Sequence, residues 1–171
     1  MNDAKTFFIH QHDVVCNHKY NKTLPYSFHL EMVASQSGKF KKYLPEEFSL
    51  YNATWNAIWG HDSIEDARMT YNEIKQLFGE TTAWIIYLCT ENRGRTRDER
   101  KNEQWYNELK ENDLAVFVKL CDLIANVKFS LLSNSSMFDK YKKEYNQKIR
   151  PILFTEKYLD MFVYLDKLFE L

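Results

Sequence analysis

Breakers are scarce in this chain, and that scarcity limits its possible folds more than any other feature. Four glycines and three prolines are spread over 171 residues, so long stretches must run as uninterrupted elements. Those stretches carry apolar residues at helical spacing rather than in strict alternation, which predicts an all-α chain and argues against a many-stranded fold. The length suits one domain, residues 1–171, with a core large enough to fold without disulfides or a structural metal. Aromatic residues make up 16% of the chain, so the core should be rich in rings.

Local signals place the helices. Leu24-Pro25 and Leu44-Pro45 put proline where a helix can begin. Amphipathic runs follow at residues 26–37 and 46–60, with Gly38 and Gly60 where helices can end. Thr70 and Glu73 have capping-box spacing before a short helix, and Phe78-Gly79 turns the chain into a further helix at 81–91. Residues 92–104 are polar and charged and read as a solvated loop with an exposed helix start. Asp113 is expected to cap the apolar helix 114–129, and Ser135 or Ser136 to cap 137–150. Pro151 should break that helix, and Thr155 should cap a last one at 156–171. The apolar positions of that last helix read as core rather than interface.

Several function classes lose support at this level. The net charge is −1, from 23 basic and 24 acidic side chains, so there is no basic field to attract nucleic acid. No stretch approaches the roughly 20 apolar residues of a membrane span, and the polar start lacks the apolar run of a signal peptide. Cys16, Cys89 and Cys121 are too widely spaced for a disulfide framework or a zinc ribbon. A reducing cytoplasm is the expected location.

Three places do not fit a plain bundle. The apolar face ending at Trp59-Gly60 runs straight into His61-Asp62. Asp122 sits inside the run Val116 to Ala125, in a helix apolar enough to be buried on all sides. A buried carboxylate there needs a cation or hydrogen-bond donors. Lys119, Asp122 and Asn126 share one helical face, either as a solvated stripe or as the wall of an internal site. His29 lies one turn into the helix after Pro25-Tyr26. Together, two imidazoles and two carboxylates make a mixed N/O donor set suited to one divalent ion such as Mn, Fe, Co, Ni or Zn. Such an ion lowers the pKa of water and polarises a phosphoryl oxygen. No GxSxG, P-loop or CxxC motif offers a competing chemistry.

The order His29 … His61-Asp62 … Asp122 resembles the H…HD…D signature of HD-domain phosphohydrolases. Pro25-Tyr26-Ser27-Phe28-His29 resembles the PYxxH segment of Rel/SpoT-type alarmone hydrolases, including the small stand-alone ones. His61-Asp62-Ser63-Ile64-Glu65-Asp66 is similar to their HDxxED motif, and Lys119-Leu120-Cys121-Asp122 with Asn126 to their KLAD…N motif. The resemblance spans about residues 5–150 and covers the hydrolase part alone. It implies an HD-domain helical bundle with His29, His61, Asp62 and Asp122 as ligands of one metal ion, Mn²⁺ first and Mg²⁺ among the other options. It implies Glu65 and Asp66 as the catalytic acidic pair, with Glu65 orienting or deprotonating the water. Lys19, Lys119, Asn126 and Tyr141 become the expected contacts to a small phosphorylated nucleotide. His18 stands where that family tends to carry arginine, and a histidine cannot form the guanidinium fork. The implied activity is an alarmone-type 3′-pyrophosphohydrolase. A nucleotide or sugar phosphate monoesterase on the same metal site, a non-catalytic nucleotide sensor and a bundle with no site are the competing readings.

Overall fold

The computed structural model describes residues 3–91 and 94–170. Helix α1, Ala4–His10, is capped by Asp3, whose carboxylate accepts from the Thr6 amide, and it widens into a π turn at Gln11–Val15. Two short strands follow, β1 at Lys19–Tyr20 and β2 at Leu24–Pro25, paired antiparallel with Lys19 opposite Pro25 and Tyr20 opposite Leu24. Asn21 and Lys22 make the turn with positive φ, 47° and 69°. This hairpin departs from a purely helical chain. It leaves Pro25 in a strand, so α2, Ser27–Lys39, starts two residues beyond the proline.

The remaining elements are helical among the described residues. α3 is Phe48–Gly60, α4 is Ser63–Asp66, α5 is Tyr71–Phe78 and α6 is Glu80–Cys89. α7 is Arg97–Arg100, α8 is Glu103–Lys110 and α9 is Asp113–Leu132. α10 is Met137–Glu144, α11 is Arg150–Leu153 and α12 is Leu159–Glu170. Residue 171, the expected end of the last helix, lies outside the described residues. No helix among those described is long and apolar enough to cross a membrane.

Local signals explain most boundaries and misplace a few. Thr70 and Glu73 form the expected capping box at α5, and Gly79 turns the chain into α6 at φ 88°, which side chains rarely adopt. Thr155 accepts from the Lys157 amide, opening a 3₁₀ turn before α12. Asn112, not Asp113, caps α9 by accepting from the Ala115 amide at 3.0 Å. Asp113 is already helical, and its carboxylate pairs with Lys157 at 2.7 Å. Gly38 lies inside α2, which runs one residue further. Pro151 does not end its helix but sits at the start of α11. The π turn Tyr145–Ile149 precedes it, and that wider turn relieves the clash a proline ring makes with the preceding carbonyls.

α9 is the spine. Twelve of its residues are buried, and it packs against α2, α3, α6, α8, α10 and α12. The core is rich in rings, with Phe8, Tyr106, Phe117, Tyr145, Tyr158 and Phe162 almost wholly buried.

At the end of α3, Gly60 lets α1 and α6 close in. A Cβ there would lie 2.5 Å from Phe8 Cζ and 2.7 Å from Ile86 Cδ1. Gly60→Ala should therefore destabilise the protein by about 1–2 kcal/mol in urea unfolding, because overpacking of ~1–3 kcal/mol outweighs the helix-propensity gain. An unchanged urea midpoint would refute this account of the glycine.

Candidate metal centre and cavity

Three helices deliver four donors to one point. His29 is in the first turn of α2, His61 and Asp62 follow α3 directly, and Asp122 is midway along α9. The turn carrying His61 and Asp62 is held by its own hydrogen bonds. Ser63 Oγ donates to the Gly60 carbonyl at 2.6 Å, and the Asp66 amide donates to the Asp62 carbonyl at 2.8 Å. His61 Nδ1 lies 3.0 Å from the Ile58 carbonyl. A carbonyl only accepts, so Nδ1 carries a proton, and Nε2 is the ring atom turned to the cluster.

His29 Nε2 lies 3.2 Å from His61 Nε2, 3.2 Å from Asp122 Oδ1 and 3.4 Å from Asp62 Oδ2. His61 Nε2 lies 3.0 Å from Asp62 Oδ2 and 3.7 Å from Asp122 Oδ1. Donors bound to one ion at ~2.1 Å stand about 3.0–3.5 Å apart; four of these five spacings fall in that range and the fifth, 3.7 Å, lies just beyond it. His29, His61 and Asp122 form a buried group whose donor atoms all lie within 4.8 Å of one another.

Electrostatics agrees with the geometry. Burial alone would lower His61, yet Asp62 and Asp122 push it up to about 10, and His29 moves up for the same reason. Against their own burial, both carboxylates are held well below the usual range, Asp62 by the imidazoles and Asp122 by Lys119 first and the imidazoles after it. A divalent cation held here would supply positive charge to both carboxylates and would leave the imidazoles neutral, as ligands must be.

The carboxylates are oriented from behind. Lys119 Nζ pairs with Asp122 Oδ2 at 2.9 Å, and Asn126 Nδ2 donates to Asp122 Oδ1 at 2.6 Å. Tyr20 donates to Asn126 Oδ1 at 2.8 Å, and its ring stacks on His29 at 4.9 Å. Both ends of the Asn126 amide are therefore engaged within the protein, in an arrangement that steadies Asp122.

The cluster opens on a cavity of about 190 Å³. Glu65 and Asp66, on α4, lie along it. Burial, with Glu91 adding a like charge, pushes Glu65 up to about 7. Lys119, Asn126 and Tyr141 also line it. Lys19 does not. It is exposed on β1, where Tyr20, the next residue, is the one that lines the cavity.

The opposite wall was not legible in the sequence. Residues 94–104 are not a solvated segment throughout, and Asn92 and Arg93 of the same stretch lie outside the described residues. Lys101 is only 7% exposed and bridges two carboxylates, Glu91 at 3.0 Å and Glu144 at 2.9 Å. Arg97 pairs with Glu144 at 2.8 Å and lies 5.6 Å from the Tyr141 ring centre, while Tyr106 donates to Glu144 at 2.6 Å. One signal for this wall was available. Thr96 and Glu99 have capping-box spacing, and they do form that box at α7.

No protein-family model matches the chain. A guanosine-3′,5′-bis(diphosphate) 3′-pyrophosphohydrolase of Danio rerio, MESH1, is 31% identical over 68 residues, which is 40% of this chain and 38% of that protein's length. A solved structure of a metazoan ortholog of SpoT, described as hydrolysing ppGpp and playing a role in starvation responses, superposes with a TM-score of 0.73. That match is 16% identical in sequence and covers 99% of this chain and 96% of the other. The chain has the mainly helical HD fold of that SpoT ortholog, and over part of its length it is similar in sequence to a ppGpp hydrolase.

Proposed function

We propose that the protein is a metal-dependent phosphohydrolase that removes the 3′-pyrophosphate of guanosine 3′-diphosphate 5′-diphosphate, with Mn²⁺ as its ion. The observation that carries this reading is the four-donor cluster His29, His61, Asp62 and Asp122 opening on one cavity with Glu65 and Asp66. A divalent ion held there would lower the pKa of water and offset charge on phosphoryl oxygens. The sequence likeness to a 3′-pyrophosphohydrolase supports the choice of substrate.

The residues then divide the work. Glu65, shifted to about 7, is suited to take a proton from the attacking water near neutral pH, with Asp66 beside it. Lys119 and Arg97 present cationic charge to a phosphorylated ligand in the cavity, and Tyr141 supplies wall. Asn126 serves through Asp122, and Lys19 lies outside the cavity. The free cysteines Cys16, Cys89 and Cys121 fit a reducing cytoplasm.

The test is to strip the metal, restore Mn²⁺ and identify the products from guanosine 3′-diphosphate 5′-diphosphate, with Asp62→Asn as the control. Pyrophosphate and guanosine 5′-diphosphate, absent with the variant, are expected. Orthophosphate released only from simple nucleotides would replace this reading by a monoesterase. Tight nucleotide binding without any product would make the protein a sensor.

A further inference from the structure

The metal cluster has a neighbour that no ligand set includes. Tyr26 lies just before α2, three residues from His29, and is 7% exposed. Its hydroxyl donates to Asp62 Oδ2 at 2.5 Å and lies 3.4 Å from Asp66 Oδ2. An ionised carboxylate only accepts, so the phenol is the donor in this contact.

The ring is held as firmly as the hydroxyl. It lies nearly parallel to His18, with centres 3.9 Å apart and planes at 15°, and to His12, at 4.5 Å and 9°. His12 is fully buried, and its Nδ1 meets His18 Nδ1 at 3.3 Å. Two imidazole nitrogens can share one hydrogen bond only if one donates and the other accepts.

The segment bearing these histidines is itself tied to both sides of the cluster. Asp13 accepts from the Ser27 amide at 3.1 Å, at the start of α2, and Gln11 donates to the Ala67 carbonyl at 3.0 Å, just past Asp66. Both anchors belong to the π turn Gln11–Val15, a distortion often met at functional sites.

We infer that Tyr26 is a positioning residue for the metal centre: its hydroxyl fixes the Asp62 carboxylate for coordination, and the His12–His18 pair fixes the ring. The oxygen that the phenol holds, Oδ2, is the one that lies 3.4 Å from His29 Nε2 and 3.0 Å from His61 Nε2. The inference rests on the metal-centre reading above.

The experiment is Mn²⁺ calorimetry on the metal-stripped full chain near neutral pH, for wild type, Tyr26→Phe and His18→Ala. Tyr26→Phe keeps the ring and removes only the donor. It should weaken Mn²⁺ binding by about 10–100-fold, the usual range for a lost outer-shell partner, with an unchanged far-UV spectrum. His18→Ala keeps the hydroxyl and loosens the ring, and should weaken binding by a smaller factor. Wild-type affinity, within twofold, in Tyr26→Phe would overturn the inference while leaving the metal centre intact. A wild-type protein that takes up no Mn²⁺ would overturn the metal-centre reading first, and this inference with it.

Discussion

Exchanging Asp122 for asparagine is expected to abolish the rise in melting temperature that Mn²⁺ gives the wild-type protein. An ion present at 100 times its dissociation constant stabilises the folded state by about 2.7 kcal/mol. Asp122, like Asp62, lies against both imidazoles, at 3.2 and 3.7 Å. Its loss removes one of the two negative charges that make a divalent ion the right partner. The variant should therefore show almost no shift at the same Mn²⁺ concentration. Its metal-free form should also melt lower than wild type. Asp122 Oδ2 is the ion-pair partner of Lys119, whose side chain is only 13% exposed. Breaking a buried pair costs about 3–5 kcal/mol in general, and an asparagine oxygen left near the ammonium puts the cost here toward the lower end. Thermal melts of both proteins with and without Mn²⁺ separate the two effects. A variant with the full wild-type shift would remove Asp122 from the ligand set.

Glu65→Gln should behave in the opposite way, keeping the ion and losing the rate. Glu65 lies on α4 along the same cavity, and the proposed ligand set does not include it. Mn²⁺ affinity should stay within a few-fold of wild type. The kcat should fall by about 10²–10⁴, the usual contribution of a general base. The pH profile gives an independent check. A base works when deprotonated, so kcat/KM should fall as the pH drops through the Glu65 pKa. That pKa is raised to about 7 by burial and by Glu91 in the metal-free protein. A bound cation favours the ionised carboxylate and moves the acid limb lower. The limb should vanish in Glu65→Gln. If the variant retains wild-type kcat on guanosine 3′-diphosphate 5′-diphosphate, another group takes the proton.

Much of the fold was legible because the signals for helices are local. The Thr70–Glu73 box, the turn at Gly79 and the apolar run of α9 each depend on residues within a turn or two of one another. Where local signals competed, the reading failed. Asn112 and Asp113 are both good caps, and only the tertiary contact between Asp113 and Lys157 shows which residue is free for the job. Proline normally ends a helix, and nothing in the sequence around Pro151 marked the π turn that accommodates it.

The candidate site divides along the same line. The adjacent pair His61-Asp62, and a carboxylate placed in an apolar helix at Asp122, are conspicuous in the sequence because burying such groups without compensation is costly. The opposite wall has no such mark. Arg97 and Lys101 lie in a polar run that reads as solvated, and their partner Glu144 is 47 and 43 residues away. The same holds for Asn126, whose amide is turned to Asp122 and Tyr20 rather than left free in the cavity.

By itself, then, the sequence determined the helical class, the position of its spine and the identity of the polar groups too costly to bury alone. These follow from periodicity and from single-residue solvation, which act over a few residues. Only the tertiary structure decided which charges meet across the cavity, that Lys19 stands outside it, and that Tyr26 reaches Asp62 from 36 positions away. Those pairings depend on how helices cross, and the crossing is set by the packing of the whole core.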